Sequence, residues 1–347
     1  MTRQLRRPSQ RRTLFAGLTM AVGLSACGAA DQETGGDTLR IALLTAGPVT
    51  DAGWYAGAYE GLLAIEAELG AAVSHQQTRT PAEFDEAFIA YGSEGYDLIF
   101  AHGSEYQDAA IRVGAQFPDT RIIVSGGGRV SDTVQPLIFQ LEQATYLAGM
   151  VAGGMTEANI IGVVGGVATP PAQGAFDAFE AGVAAVNPNA VVNIVYIGSW
   201  DDVAAAKEAA VTQIRRGADV VIHNTDGASF GVFQAVREAT AAGNPVYSMG
   251  MNRDQNSVAP DVILGSAAIE IPAAFLDVAR RLQAGTLPPG AIYAGAERDI
   301  IRWVVNPELA DRIPEALLAQ VEEARAAILN GSIIVPRIPF VEDEGGS

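Results

Sequence analysis

The chain has 347 residues, with 22 lysines and arginines against 40 aspartates and glutamates, and a formal net charge of −18. Such acidity argues against nucleic acid or anionic lipid headgroups as partners, whereas screening beyond about 8–10 Å leaves room for a neutral ligand. A single cysteine, Cys27, rules out a disulfide or a cysteine metal site in the folded part.

In chain order, residues 3–12 carry five arginines and no acid, 13–24 are apolar, and Leu24-Ser25-Ala26-Cys27 follows. A basic stretch, a short apolar run and small residues before a cut site predict a secretory signal over 1–26. The run is too short to span about 30 Å of hydrocarbon. Leu-Ser-Ala-Cys resembles the bacterial lipobox, in which the cysteine sulfur takes a diacylglycerol and becomes residue one. Gln10-Arg11-Arg12-Thr13-Leu14-Phe15 is similar to a twin-arginine export signal. Each buried CH₂ of an acyl chain contributes about 0.8 kcal/mol, so several chains would hold the protein on the extracytoplasmic face of a membrane. Residues 27–37, rich in Gly, Ala and acids, read as a tether. Loss of the signal leaves 17 basic residues against 40 acidic ones, a net −23.

From Thr38 onward, β-branched runs alternate with alanine-rich helical stretches. Strands are expected at 39–44, 97–101, 122–125, 160–164, 191–197, 219–223 and 246–249. Helices are expected at 57–69, 81–91, 107–117, 143–155, 175–186, 203–215 and 230–242. That alternation predicts an α/β fold with doubly wound parallel sheets. The chain also echoes itself: Tyr59-Glu60-Gly61 leads, through strand and helix, to Gly95-Tyr96-Asp97-Leu98-Ile99-Phe100. Phe179-Glu180-Ala181 leads in the same order to Gly217-Ala218-Asp219-Val220-Val221-Ile222. Two similar units predict two lobes of like topology.

Open α/β sheets bind ligands beyond the carboxyl ends of their strands. The segments there hold Trp54, Tyr55 and Tyr106 from the first unit and Trp200 from the second. Facing aromatic planes can sandwich a flat ring, at about 1–3 kcal/mol per stacked face. Asp51, Asp226, Asp254, Asn224 and Asn252 can fix polar edges.

Catalytic motifs fare worse. Gly227-Ala228-Ser229-Phe230-Gly231 matches the G-x-S-x-G elbow between a strand and a helix, but His75, His102 and His223 all precede Ser229, against the hydrolase order. A helix N-terminus with small polar residues explains it better. No G-x-G-x-x-G follows a predicted strand, Lys207 follows no phosphate loop, and the histidines lack zinc spacing. No cofactor and no metal are expected, and the chain reads as a receptor and not an enzyme.

Gly47-Pro48-Val49-Thr50-Asp51-Ala52-Gly53-Trp54 followed by Tyr59-Glu60-Gly61-Leu62 resembles the opening signature of the basic membrane protein family of solute-binding lipoproteins. The likeness continues through Gly95-Tyr96-Asp97, Tyr146-Leu147-Ala148-Gly149, Asn187-Pro188, Gly198-Ser199-Trp200 and Gly217-Ala218-Asp219. The resemblance implies a type I periplasmic-binding-protein architecture, two lobes joined by three crossings. It also implies a purine nucleoside or base as ligand, an ABC importer permease as partner, and a monomer. It puts Asp51, Trp54, Ser104 and Tyr106 at the ligand from lobe one, and Trp200 and Asp226 from lobe two. One segment departs: Met249-Gly250-Met251-Asn252-Arg253-Asp254-Gln255 carries Asn252 where nucleoside receptors of the family place an Asp on ribose. A lysine expected soon afterwards is missing from 264–269. The lobes are expected at 38–139 with 263–290, and at 140–262 with 291–340, before a tail at 341–347. A receptor for a sugar or signal molecule, or a hydrolase using Ser229, are the alternatives.

Overall fold

A computed structural model describes residues 38–51 and 53–342; Cys27, the signal and the tether lie outside the described residues. Within them, alternation along each strand divides the interior between two faces. In β1 (Arg40–Thr45), Ile41 and Leu43 belong to one apolar cluster, Ala42 and Leu44 to another, and all four are sealed from water. A strand buried on both faces needs helices on both, which is the parallel α/β arrangement.

The first sheet is all parallel. Its order is β11 (Ile292–Ala294), β5 (Val134–Phe139), β4 (Arg121–Ser125), β3 (Leu98–His102), β1 and β2 (Ala72–Gln77). One face is covered by α2 (Pro81–Ser93) and α3 (Gln107–Gly114), through Phe84, Phe88 and Val113. The other is covered by α1 (Trp54–Leu69) and α8 (Ile271–Gln283), with Phe275 of α8 stacked on Phe100 of β3 at 4.0 Å and 7°.

The second sheet repeats the design. Its order is β12 (Ile301–Val305), β10 (Ile263–Ile269), β9 (Tyr247–Asn252), β8 (Val220–Asn224), β6 (Ile160–Gly165) and β7 (Val191–Tyr196), with β12 antiparallel to β10. α6 (Val203–Arg215) and α7 (Ser229–Ala241) cover one face. α6 starts where its sequence says it should, because the Asp202 carboxylate accepts the Ala205 N–H at 2.9 Å. The opposite face is covered by α4 (Glu142–Met155), α5 (Pro170–Val186) and α9 (Glu315–Leu329). Here α4 and α5 touch backbone to backbone. A Cβ on Gly182 would meet the Tyr146 carbonyl, at 2.8 Å from its carbon and closer still to its oxygen; one on Gly149 would meet that of Phe179.

The crossings differ from the sequence expectation. β10 pairs with β9 and β12, so residues 263–269 belong to the second lobe; the first regains the chain at α8 and keeps it through β11. The expected switches at 263 and 291 were therefore each early, because a fully buried strand reads alike in either sheet and partners decide its place. The end of the chain also returns. Past α9, the backbone passes Gly174 at Ile338 and Gly128 at Phe340, and the Glu342 N–H donates to the Gly128 carbonyl at 2.8 Å. Arg129 pairs with Glu342 at 3.1 Å. Residues 340–342 thus strap the first lobe, with Ile338 still against α5 of the second, against the expectation that 291–340 would stay on lobe two before a tail at 341.

At the first crossing Glu142 opens α4 with 9% exposure, and burial pushes its carboxyl up to about 7, with Arg337 pulling the other way. The folded state therefore holds this proton more tightly than the unfolded chain. Its contribution to stability is complete below the ordinary value of 4.5 and lost as pH rises through about 7. Glu142→Gln should flatten that decline, by at most about 1.4 kcal/mol per pH unit. Urea unfolding of both proteins across this range checks it; parallel profiles would show that Glu142 is no source of the slope.

Candidate functional site

Strands of both sheets end at one open cavity, with walls from both lobes. Trp54 enters as the first residue of α1. Its indole stacks on the His102 ring at 3.8 Å and 25°, with Phe139 edge-on at 5.7 Å. His102 is sealed from water, and burial lowers its pKa to about 3. The imidazole is neutral. Its Nε2 lies 3.1 Å from the Trp54 carbonyl, which can only accept, so Nε2 carries the hydrogen and Nδ1 accepts from the Ser125 hydroxyl at 2.8 Å. One face of Trp54 is thus backed by a fixed ring, while its other side belongs to the cavity.

Asp51 has a different task from the one expected. It is 3% exposed and does not line the cavity. Its carboxylate accepts from the N–H groups of Gly53, Tyr55 and Ala56 at 3.1, 2.8 and 2.9 Å. It satisfies the free amides at the start of α1, so it positions Trp54 and Tyr55 and does not itself face a ligand. Tyr55 does line the cavity; its hydroxyl donates to Glu105 at 3.4 Å. Burial first, then the Glu105 and Asp226 charges, raise the Tyr55 pKa far above its ordinary value.

Beyond β3 a short 3₁₀ turn, Ser104–Tyr106, sorts three neighbours. Ser104 and Glu105 line the cavity, as expected for the first of them. Tyr106 turns inward, sealed from water between Phe84 and Phe88, with its hydroxyl 2.7 Å from that of Thr78. It is a core residue, contrary to the expectation. Glu105 reaches water at the mouth, yet the crowding walls push its carboxyl up.

From the second lobe come Trp200, Asn224, Asp226 and Asn252. The Trp200 ring lies against the backbone of Gly166, where a Cβ would sit 2.6 Å from Cζ3. Asp226 and Asn252 both adopt positive φ, 44° and 67°, a conformation Asp and Asn tolerate better than most residues. The Asn252 amide donates to Asn224 Oδ1 at 3.1 Å and to Asp226 Oδ1 at 2.9 Å. Burial, then the nearby Asp51 charge, raise the Asp226 pKa well above the carboxylate range, against the pull of Asn252. Asp254 is elsewhere: it is exposed, accepts from the Asn256 N–H at 3.0 Å and does not line the cavity. That local turn explains why the sequence misleads there.

Phe139, from the end of β5, and Phe340, from the C-terminal strap, complete the aromatic wall. Neither carries a local sequence signal. Ser229 is sealed from water, and its hydroxyl has no hydrogen-bond partner among the described residues. His223 bonds instead to Gln255 and Thr225, so the elbow motif has no base beside its serine. Among the described residues no His, Cys, Asp and Glu cluster could hold a metal, and no helix is long and apolar enough to cross a membrane.

Comparison with known proteins agrees with this geometry. The family described as ABC transporter substrate-binding protein PnrA-like (Bmp) matches residues 38–338. The chain is 30% identical to the CD4+ T-cell-stimulating antigen of Listeria innocua serovar 6a, over 95% of this chain and all of that protein. It is 24% identical to a purine-binding protein of Brucella abortus, over 94% of this chain and 91% of the relative. Among solved structures, a solute-binding protein of an ABC transporter system from Aeropyrum pernix K1 superposes with a TM-score of 0.78 at 20% identity. It covers 86% of this chain and 94% of that one.

Proposed function

Because the chain belongs to the PnrA-like family of ABC transporter substrate-binding proteins, we propose that it captures a purine-like base or nucleoside between its lobes. It delivers that ligand to the permease of an ABC importer. The observation that carries this reading is the pairing of Trp54 and Trp200 as walls of one cavity, each ring held by its own lobe. Two hinged aromatic planes suit a flat heterocycle, and the amides and carboxylates between them suit its polar edge. The likeness to a purine-binding relative points the same way.

Asn252 decides between base and nucleoside. Hydrogen bonds to a charged group contribute about 1.5–3 kcal/mol, against about 0.5–1.5 for neutral ones. A carboxylate at this position could accept from two ribose hydroxyls, whereas Asn252 has one carbonyl, and its amide is engaged by Asn224 and Asp226. Asp254 does not compensate, since it does not line the cavity. A free purine-like base should therefore bind at least as well as its nucleoside. Calorimetric titration of ligand-stripped protein with adenine, guanine, hypoxanthine and their nucleosides checks this. A nucleoside binding roughly tenfold tighter than its base, about 1.4 kcal/mol, would show that ribose is read. No purine binding at all would turn the reading toward a sugar or signal ligand.

The same proposal places the protein on the extracytoplasmic face of a bacterial membrane as a monomer, held by lipid on Cys27. Cys27→Ser removes the sulfur that takes the lipid and should shift the protein from the membrane fraction to the soluble one. Retention of that variant on the membrane at wild-type level would rule out Cys27 as the anchor.

A further inference from the structure

We propose that the cleft selects flat heterocycles that carry positive charge and rejects anionic rings. This deepens the reading of the cleft as a heterocycle site and rests on it.

The charge balance of the walls carries the inference. Glu105 and Asp226 line the cavity, and among the described residues no lysine or arginine does. Asp226 is 8% exposed, and one of its oxygens takes the Asn252 donor. The other has no protein donor among the described residues. Burial and Asp51, packed behind, disfavour ionised Asp226, and a cation in the cleft would favour it. An anionic ring would enter beside these groups with no counter-charge; a cationic one would supply it.

The main-chain donors that could offset these acids are partly spent. Helix N-termini present free N–H groups to anions, and two helices begin at this cavity. At α1 the Asp51 carboxylate takes the N–H groups of Tyr55 and Ala56. At α5 the first two residues are Pro170 and Pro171, which have no N–H to offer. The Asn252 amide is likewise spent within the wall. The only charged side chains that remain toward a ligand, among the described residues, are both acids. The aromatic faces act in the same direction, because ring quadrupoles attract cations and indole does so best. Trp54, Trp200, Phe139 and Phe340 all border the same space.

Calorimetric titration at neutral pH tests the proposal with three rings of one shape. These are adenine methylated at one imidazole nitrogen, which is neutral, adenine methylated at both, a fixed cation, and urate, an anion. The cation should bind roughly tenfold tighter than the neutral ring, and urate roughly tenfold weaker, the difference between charged and neutral hydrogen bonds. Urate equal to or tighter than the neutral ring would overturn the proposal. A second set, N-methylquinolinium, quinoline and a quinoline carboxylate, separates charge selection from the purine reading. Preference for N-methylquinolinium with no purine bound would retain charge selection and remove the purine; no binding in either set would overturn both. Asp226→Asn and Glu105→Gln should each shrink the cation-to-neutral ratio, and together erase the roughly tenfold preference, whatever either does to affinity for the neutral ring. An undiminished ratio in both variants would show that these carboxylates are not what selects.

Discussion

Replacing Gly182 by alanine should destabilise the protein by about 3 kcal/mol, the upper end for overpacking a well-filled interior. The added methyl would fall on the Tyr146 carbonyl and within 3.1 Å of the Met150 N, both main-chain atoms of α4. A side chain could rotate away; a helix backbone cannot. α4 and α5 must therefore move apart, loosening the layer where Leu147, Val151, Phe176 and Phe179 pack against the second sheet. The substitution does gain about 0.5–1 kcal/mol from helix propensity and a stiffer unfolded chain, which offsets part of the cost. Urea unfolding should show a lower midpoint with an unchanged slope. A loss of less than about 1 kcal/mol, the low end of overpacking costs, would mean that the helix pair slides apart without disturbing the layer.

The second large effect falls on binding. Trp54→Ala and Trp200→Ala should each weaken the ligand roughly ten- to a hundred-fold, matching about 1–3 kcal/mol per stacked face. The two rings are held differently, and the variants should report it. Trp54 leans on His102, so its loss also uncovers a buried neutral imidazole. Trp200 rests on the Gly166 backbone without a ring behind it. Trp200→Phe keeps a stacking face and should recover part of the affinity. Calorimetry that finds wild-type affinity in both alanine variants would remove stacking from the mechanism.

Much of this architecture is legible before any coordinates. α6, the parallel core strands and the repeat of one unit after the other follow from periodicity and turn residues. Trp54, Ser104, Trp200, Asp226 and Asn252 border the cavity because each follows or ends a strand, and strand ends converge there. The failures share a cause: direction over one or two residues is settled by local hydrogen bonds. Asp51 was drawn to the amides of α1, Asp254 to its own turn, and Tyr106 into the core by a 3₁₀ turn that left Glu105 facing the cavity. Phe139 and Phe340 escaped notice because nothing in their sequence neighbourhood encodes what lies against them, and His102 reads from the sequence only as a base and not as the ring behind Trp54. The placement of 263–269 failed likewise, since pairing with β9 and β12 is a long-range choice.

The interleaving of the two lobes also dictates the order in which the protein can be made. Phe100 in β3 waits for Phe275, and β5 waits for β11, so the first lobe to be synthesised stays open until residue 294. A nascent chain ending after β5 exposes the sheet face that α8 will cover, together with an unpaired edge. Contacts of such long sequence separation slow folding, because the loop between them must close before they reward it. An export route that threads an unfolded chain would release this protein with its N-terminal half still waiting for a partner. A route that carries folded cargo would have to wait until residue 294 and beyond had been made. In either case the run from α4 to β10, contiguous in the chain, is the part able to form first, with β12 and α9 still to come, and to serve as the template on which the older half closes.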